Sequence, residues 1–435
     1  MVKGKSSIPV AFKLKLGRSL QLSGKNTEAI ELLQPLAILT TLKVDVRRFI
    51  FKTLGDACLA SEQNEKALYW YQRYLKLGPV KNPDVSYSIA FLQEQPDPAK
   101  ARLLYQDNIK KFPADQRNYL RLGMLLSREL STCKNAAVLL KKAINMADTV
   151  PSAWLELARV YGRLNKNDDE LSAYENYRRF DTANLEAKTR IGIINLGKGS
   201  TAEAVRMLKE VYNQAPDSTT AAAALADAYI RTGKTKEALE LLTKAKASNP
   251  KDTLVIRLLY QAYSKTRQDQ QALDELKALL ELRRDNDLLL AYGKLLLKMG
   301  KLDEAANAME DIRATEPDNI DALMLLGRIL RTQKKLDEAI DIYKEVTSID
   351  MKYAPATFER AQVYLVQGKV QWAEQFYKRA LEQDPTMALA LLGLARVALQ
   401  CKNRDGYFDY LNKAEAMDPK NPIIKKEREK SRSMK

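Results

Sequence analysis

An alanine returns about every 34 residues along most of this chain. The slot reads Ala29, Ala67, Ala101, Ala136, Glu170, Ala204, Ala238, Ala272, Ala305, Ala339, Ala373 and Tyr407, in steps of 38, 34, 35, 34, 34, 34, 34, 33, 34, 34 and 34. Seven prolines keep the same register twelve residues further on: Pro79, Pro113, Pro216, Pro250, Pro317, Pro385 and Pro419. So regular a period restricts the chain to a stack of one small unit. No such unit buries its apolar face alone, so neighbouring copies must supply the rest of one continuous core.

Each unit reads as two amphipathic helices. In residues 219–252, apolar residues recur at helical spacing through Leu225, Ala226 and Tyr229. Gly233 then breaks the helix, because glycine takes left-handed dihedrals without strain. A second stretch runs through Ala238, Leu241, Leu242 and Ala245, and Asn249-Pro250 ends it, since proline disfavours helix in the residue before it. Small residues at 226 and 238 let the two helices approach closely. The first-helix slot reads Gly17, Gly55, Gly123, Ala158, Gly192, Gly293, Gly327, Ala361 and Ala395 elsewhere. It is filled by Ile89 and Tyr260 in two units, where looser or rearranged packing is expected.

The stretch Trp154-x-x-Leu157-Ala158-x-x-Tyr161, the turn glycine, the second-helix alanine and the terminal proline together resemble the tetratricopeptide repeat family, over roughly residues 10–420. The resemblance implies an all-α α-solenoid, a right-handed superhelix of helix–turn–helix hairpins whose first helices line a concave groove. It implies a basic N-terminal extension at 1–9 and about twelve units at 10–43, 48–81, 82–115, 116–150, 151–184, 185–218, 219–252, 253–285, 286–319, 320–353, 354–387 and 388–419. A basic capping segment or tail follows at 420–435. Three places depart from the pattern. Four extra residues stand at the first junction around LTTLKVDV. Pro96-Asp97-Pro98 separates the helices of the third unit, so its first helix should be short. One extra residue falls near Ser131-Thr132-Cys133.

Composition removes most catalytic chemistry. The chain has no histidine, which excludes imidazole bases, Ser-His-Asp and Cys-His pairs and histidine metal sites. Cys58, Cys133 and Cys401 lie far apart and form no CxxC pair, so they read as buried or inert thiols. Gly192-x-x-x-x-Gly197-Lys198 imitates a phosphate loop but continues with Gly199 instead of Ser or Thr, and it follows a helix rather than a strand. Asp168-Asp169-Glu170 reads as solvated turn residues, and Trp70, Trp154 and Trp372 as packing residues. No catalytic, cofactor-binding or metal residue is assigned, no cofactor is expected, and the chain reads as a non-enzyme. The opening MVKGKSSIPV lacks an apolar signal segment, and no apolar run approaches the roughly 18 residues of a membrane span. The expected location is the cytoplasm; a leader or anchor ahead of residue 1 would instead place the chain in the periplasm or at a membrane.

The net charge of +16 is concentrated at the ends. Residues 1–25 carry six bases and no acid, and residues 420–435 carry seven bases and two acids. The resemblance implies that the fifth, ninth and thirteenth positions of each first helix face the groove. At the ninth stand Arg159, Lys294, Arg328 and Arg396; at the thirteenth, Arg163, Arg231, Lys265 and Lys298; at the fifth, an apolar row of Leu290, Met324, Phe358 and Leu392. Such a wall suits an acidic or amphipathic protein segment with apolar anchors. Nucleic acid is not expected, because these rows offer only Phe358 for base stacking. The Lys-Asn pair that grips chaperone tails in the family is absent, since Lys52 is followed by Asp56. The leading reading is a non-catalytic scaffold or adaptor organising a multiprotein complex. The alternative is a docking or regulatory module of an enzyme whose catalytic part lies elsewhere. Folding is expected to survive reversal of Lys294, Arg328 and Arg396, as residues of a solvated wall.

Overall fold

The computed structural model describes residues 9–78 and 81–432, and every regular element among them is helical. Residues 1–8, most of the expected basic extension, lie outside the described residues, as do Pro79, Val80 and 433–435. The chain divides between Met207 and Leu208 into two compact units.

The first unit contains α1 (Val10–Leu22), α2 (Asn26–Ala37), α3 (Val44–Ala60), α4 (Asn64–Lys76), α5 (Pro83–Gln93), α6 (Pro98–Lys111), α7 (Gln116–Leu126), α8 (Cys133–Met146), α9 (Pro151–Arg163), α10 (Asn167–Tyr177) and α11 (Leu185–Gly197). The boundary falls inside α12 (Thr201–Gln214). The second unit holds α13 (Thr219–Arg231), α14 (Thr235–Ser248), α15 (Thr253–Lys265), α16 (Asp269–Leu282), α17 (Asn286–Lys298), α18 (Leu302–Thr315), α19 (Ile320–Thr332), α20 (Leu336–Ile349), α21 (Ala354–Val366), α22 (Val370–Gln383), α23 (Ala388–Gln400), α24 (Arg404–Met417) and α25 (Pro422–Arg432). Within each unit odd and even helices pair as hairpins, and each second helix packs on the first helix of the next hairpin. None of the helices among the described residues is long and apolar enough to cross a membrane.

The turns repeat as faithfully as the helices. Gly233 sits at φ +81°, its amide donates to the Ile230 carbonyl, and the Lys234 amide reaches back to Tyr229 at 2.8 Å. That pair of bonds satisfies carbonyls the helix end leaves orphaned. The equivalent Lys334 takes φ +65° without glycine's freedom. Loop side chains then start the next helix: Asp252 accepts from the amides of Leu254 and Val255, and Asn319 from that of Ala322. The irregular places of the sequence are absorbed locally. Four extra residues lengthen α3 to 17 residues against 13 in α1. The Pro96–Pro98 segment leaves α5 with 11 residues. A 3-10 turn at Leu130–Thr132 takes up the extra residue before α8.

The alanine slot is the contact point of each hairpin. None of its twelve residues, Glu170 and Tyr407 included, is more than 2% exposed. Four residues after the slot a larger side chain lies over the opposing first-helix glycine. A Cβ on Gly55 would sit 2.5 Å from the Tyr71 ring, one on Gly327 2.5 Å from Tyr343, and one on Gly293 2.5 Å from Met309. In these hairpins the glycine is what admits the neighbour, and burial of rings such as Tyr71 and Tyr343 supplies core area in return.

Gly55→Val should therefore destabilise the first unit by about 1–3 kcal/mol through overpacking. Gly197→Ala, at a helical position with nothing within 4 Å of the added Cβ, should be neutral or stabilising by about 0.5 kcal/mol. Urea denaturation of the two variants checks both signs.

Candidate partner-binding surface

First helices of neighbouring hairpins meet one another directly: α1 with α3 and α5 with α7 in the first unit, and α13 with α15, α17 with α19, α19 with α21 and α21 with α23 in the second. Each stack therefore closes toward its first helices. The side chains expected to bind a partner lie on them.

Most of the expected basic residues are already engaged. In the first unit Arg159 on α9 donates to Glu186 on α11 at 2.6 and 2.8 Å and to Glu156 at 3.4 Å. Arg163 donates to the Ser127 carbonyl at the end of α7, and the Ser127 hydroxyl donates to Glu156. In the second unit Arg231 binds Asp227 on its own helix at 3.1 Å. Lys265 donates to the Ile230 carbonyl at 3.1 Å, and Lys298 pairs with Asp269 at 2.6 Å. Arg328 on α19 meets Glu359 on α21 at 2.9 Å, where Arg331 joins it at 2.7 Å. Arg396 on α23 meets Glu427 on α25 at 2.7 Å. Lys294 alone of these eight is exposed with no hydrogen-bond or ion-pair partner among the described residues.

This geometry corrects the expectation of a free wall: Arg328 and Arg396 stay 51% and 40% exposed, but each is held by a carboxylate. Glu359 and Glu427 are 5% and 8% exposed. Reversing Arg328 or Arg396 would set a like charge against a buried carboxylate, which costs far more than losing an exposed pair. The apolar row is corrected too. Leu290 and Phe358 are half-buried, but Met324 and Leu392 are 6% and 1% exposed and belong to the hydrophobic core. Their side chains fill the space between helices and leave a partner little to touch.

Glu170 is a third correction. The run Asp168-Asp169-Glu170 reads as solvated; the two aspartates are exposed, whereas Glu170 occupies the small slot at 1% exposure. Arg190 on α11 compensates it with bonds of 2.7 and 3.0 Å. Gly162 opposite leaves room for the carboxylate: a Cβ there would lie 3.0 Å from Glu170 Cδ. A similar buried carboxylate, Glu94, receives Arg121 at 2.8 Å and the Tyr105 hydroxyl at 2.6 Å.

Composition and helical periodicity do not single out these acids. A spacing signal exists: the partners in Arg159–Glu186, Arg121–Glu94, Arg331–Glu359 and Arg328–Glu359 stand 27, 27, 28 and 31 residues apart. That is a little less than one repeat, the offset that sets adjacent first helices face to face.

One opening along the first helices of the second unit gathers several of the expected residues. Between α15 and α17 a cleft of about 320 Å³ is lined by Tyr260, Ser264, Leu290, Ala291, Lys294 and Lys298, with Asp269 and Asp287 at its edge. Tyr260, the residue that replaces the small slot of this hairpin, lines the cleft. The structure thus brings Leu290, Lys294 and Lys298 together in one place.

Family models for the tetratricopeptide repeat match residues 195–262, 290–354 and 358–422. With the hairpin register running on either side of those segments, they decide the family. The chain is a tetratricopeptide repeat protein. None of the curated proteins compared with it matches. Similar solved structures include PilW, a type IV pilus biogenesis factor, 19% identical over 48% of this chain and 97% of that one, with a TM-score of 0.39. The APC/C hetero-tetramer Cut9-Hcn1 is 14% identical over 95% and 94% of the two chains, with a TM-score of 0.38. A tetratricopeptide repeat protein from Parabacteroides merdae is 16% identical over 57% and 98%, with a TM-score of 0.39.

The Arg159 guanidinium holds the Glu186 carboxyl below its ordinary value of 4.5. A carboxyl depressed in the folded state adds stability that is present above the unfolded value and is lost as pH falls through the folded one. Wild type should therefore be more stable than Glu186→Gln near neutral pH, and the gap should close as pH drops below 4.5. Urea midpoints of the two proteins across an acid series measure this.

Proposed function

We propose that this repeat array is a non-catalytic scaffold that holds an amphipathic segment of a protein partner against the first helices of its second unit. The observation that carries the reading is the cleft between α15 and α17. There apolar side chains, Tyr260 and Leu290, border open space. The unpaired base, Lys294, stands on its rim. An apolar anchor of the partner would fill the cleft, and a neighbouring carboxylate would meet Lys294.

Affinity there comes mostly from the buried anchor, with charge setting approach and register. Because Arg328, Arg396 and Lys298 are already paired, the segment needs one well-placed acid rather than an acidic run. The absence of histidine and the isolation of the three cysteines in the sequence support a binding role over catalysis.

The test begins with capture of partners on the intact chain and on a Leu290→Lys/Lys294→Glu variant, quantified by mass spectrometry. Proteins that bind the cleft should be lost from the variant. For a partner so identified, Lys294→Glu should weaken binding by about 0.5–1 kcal/mol, an effect raised salt should mimic. Leu290→Ala should act mainly on dissociation. Equal capture by both proteins would contradict the assignment.

A further inference from the structure

We propose that the outer face of α1 is an open stacking seam that takes an acidic amphipathic helix from another protein, docked as the second helix of a hairpin docks inside the array. Equivalent positions in the repeat carry the inference. Counted back from the first-helix slot, Phe12 and Leu16 of α1 correspond to Ile50 and Leu54 of α3, to Val255 and Leu259 of α15, and to Ala390 and Leu394 of α23. All six of those residues are 0–2% exposed, each pair on a helix that packs against the second helix of the hairpin before it. Phe12 is 56% exposed and Leu16 37%. The α1 face thus has the side chains of an internal seam without a helix laid on it among the described residues.

The other end of the chain shows what closing such a seam involves. Helix α25 packs on α24, turns Ile424, Glu427 and Ser431 inward, and leaves Lys425 and Lys426 in solvent.

Charge selects the occupant. Residues 1–25 contain six bases and no acid. Arg18 is taken by Asp56 at 3.1 Å and Lys25 by Glu28 at 3.5 Å, whereas Lys13 and Lys15 have no partner among the described residues. A second copy offering its own α1 would bring two basic surfaces together. A copy offering its C-terminal end would do the same, since residues 420–435 carry seven bases against two acids. Like charges facing one another across an interface suppress such pairings. A helix with an apolar stripe for Phe12 and Leu16 and carboxylates for Lys13 and Lys15 satisfies both features. This site is remote in sequence from the α15–α17 cleft and does not depend on it.

The probe is a fluorescent synthetic peptide with the sequence Asp269–Leu282, which has four acids and one lysine and whose parent helix packs on α17 within the array. It is stapled on its polar face, because a free helix of this length is marginal in water. Anisotropy titrations against the full chain should show saturable binding. Phe12→Glu/Leu16→Glu should weaken that binding at least tenfold while the circular dichroism spectrum is unchanged, as expected for exposed positions. Lys13→Glu/Lys15→Glu should weaken it less, and more at low salt than at high salt. Lys294→Glu should leave it unchanged, which separates this seam from the cleft. No saturable binding, or equal binding by wild type and Phe12→Glu/Leu16→Glu, would overturn the proposal. A wild-type dimer in sedimentation velocity that the same double variant converts to monomer would also overturn it, by naming a second copy as the occupant.

Discussion

At each hairpin, two helices approach at a point where both must be small or one must give way to a ring. The spacing of the whole stack depends on that contact. Gly55 under Tyr71 and Gly327 under Tyr343 bring the helices close enough for a large side chain to be wholly buried in a unit of only 34 residues. With the crossing set, each second helix presents its far side to the next first helix, and the core continues from hairpin to hairpin. The left-handed turn residue, glycine at 233 and lysine at 334, tolerates variation because the two backbone bonds of the turn are retained with either residue.

Between hairpins a second interaction works along the first helices. Arg159–Glu186, Arg328–Glu359 and Arg396–Glu427 each tie one repeat to the next, and two of these carboxylates are almost fully buried. Buried pairs of this kind contribute little net stability against an apolar alternative, but removing one partner is costly. Their effect is to specify which faces meet, and they pair most of the basic row while leaving Arg159, Arg328 and Arg396 41%, 51% and 40% exposed. The excess positive charge lies mainly at the two ends of the sequence, and the α15–α17 cleft, bordered by Tyr260, offers open space along the first helices.

The helices are legible in the sequence because one rigid contact recurs. A slot that admits only a methyl group leaves a mark at every return, and Ala29 to Ala373 carry it. Local insertions are legible too, since extra residues must go somewhere near where they occur, as in the long α3 and the 3-10 turn before α8. The surface is less legible. Whether Arg328 is free or paired depends on a residue 31 positions away on another hairpin, and helical periodicity within one unit carries no record of it. Met324 and Leu392 mislead for a related reason: their position number within the repeat is that of a groove residue, while both are packed into the hydrophobic core. Glu170 breaks the slot's own rule, and its compensation by Arg190 and Gly162 is spread over three helices.

A stack built from one repeated contact should respond to damage locally, because each hairpin touches only its neighbours. Hydrogen–deuterium exchange of the intact chain carrying Gly327→Ala reads this directly, since the added Cβ meets the Tyr343 ring at 2.5 Å within the hairpin of α19 and α20. Exchange should rise in α19, α20 and the adjoining helices α18 and α21, and fall back to wild-type rates within a further hairpin on either side. A uniform rise over the whole second unit, or no rise at α19 and α20, would contradict the account.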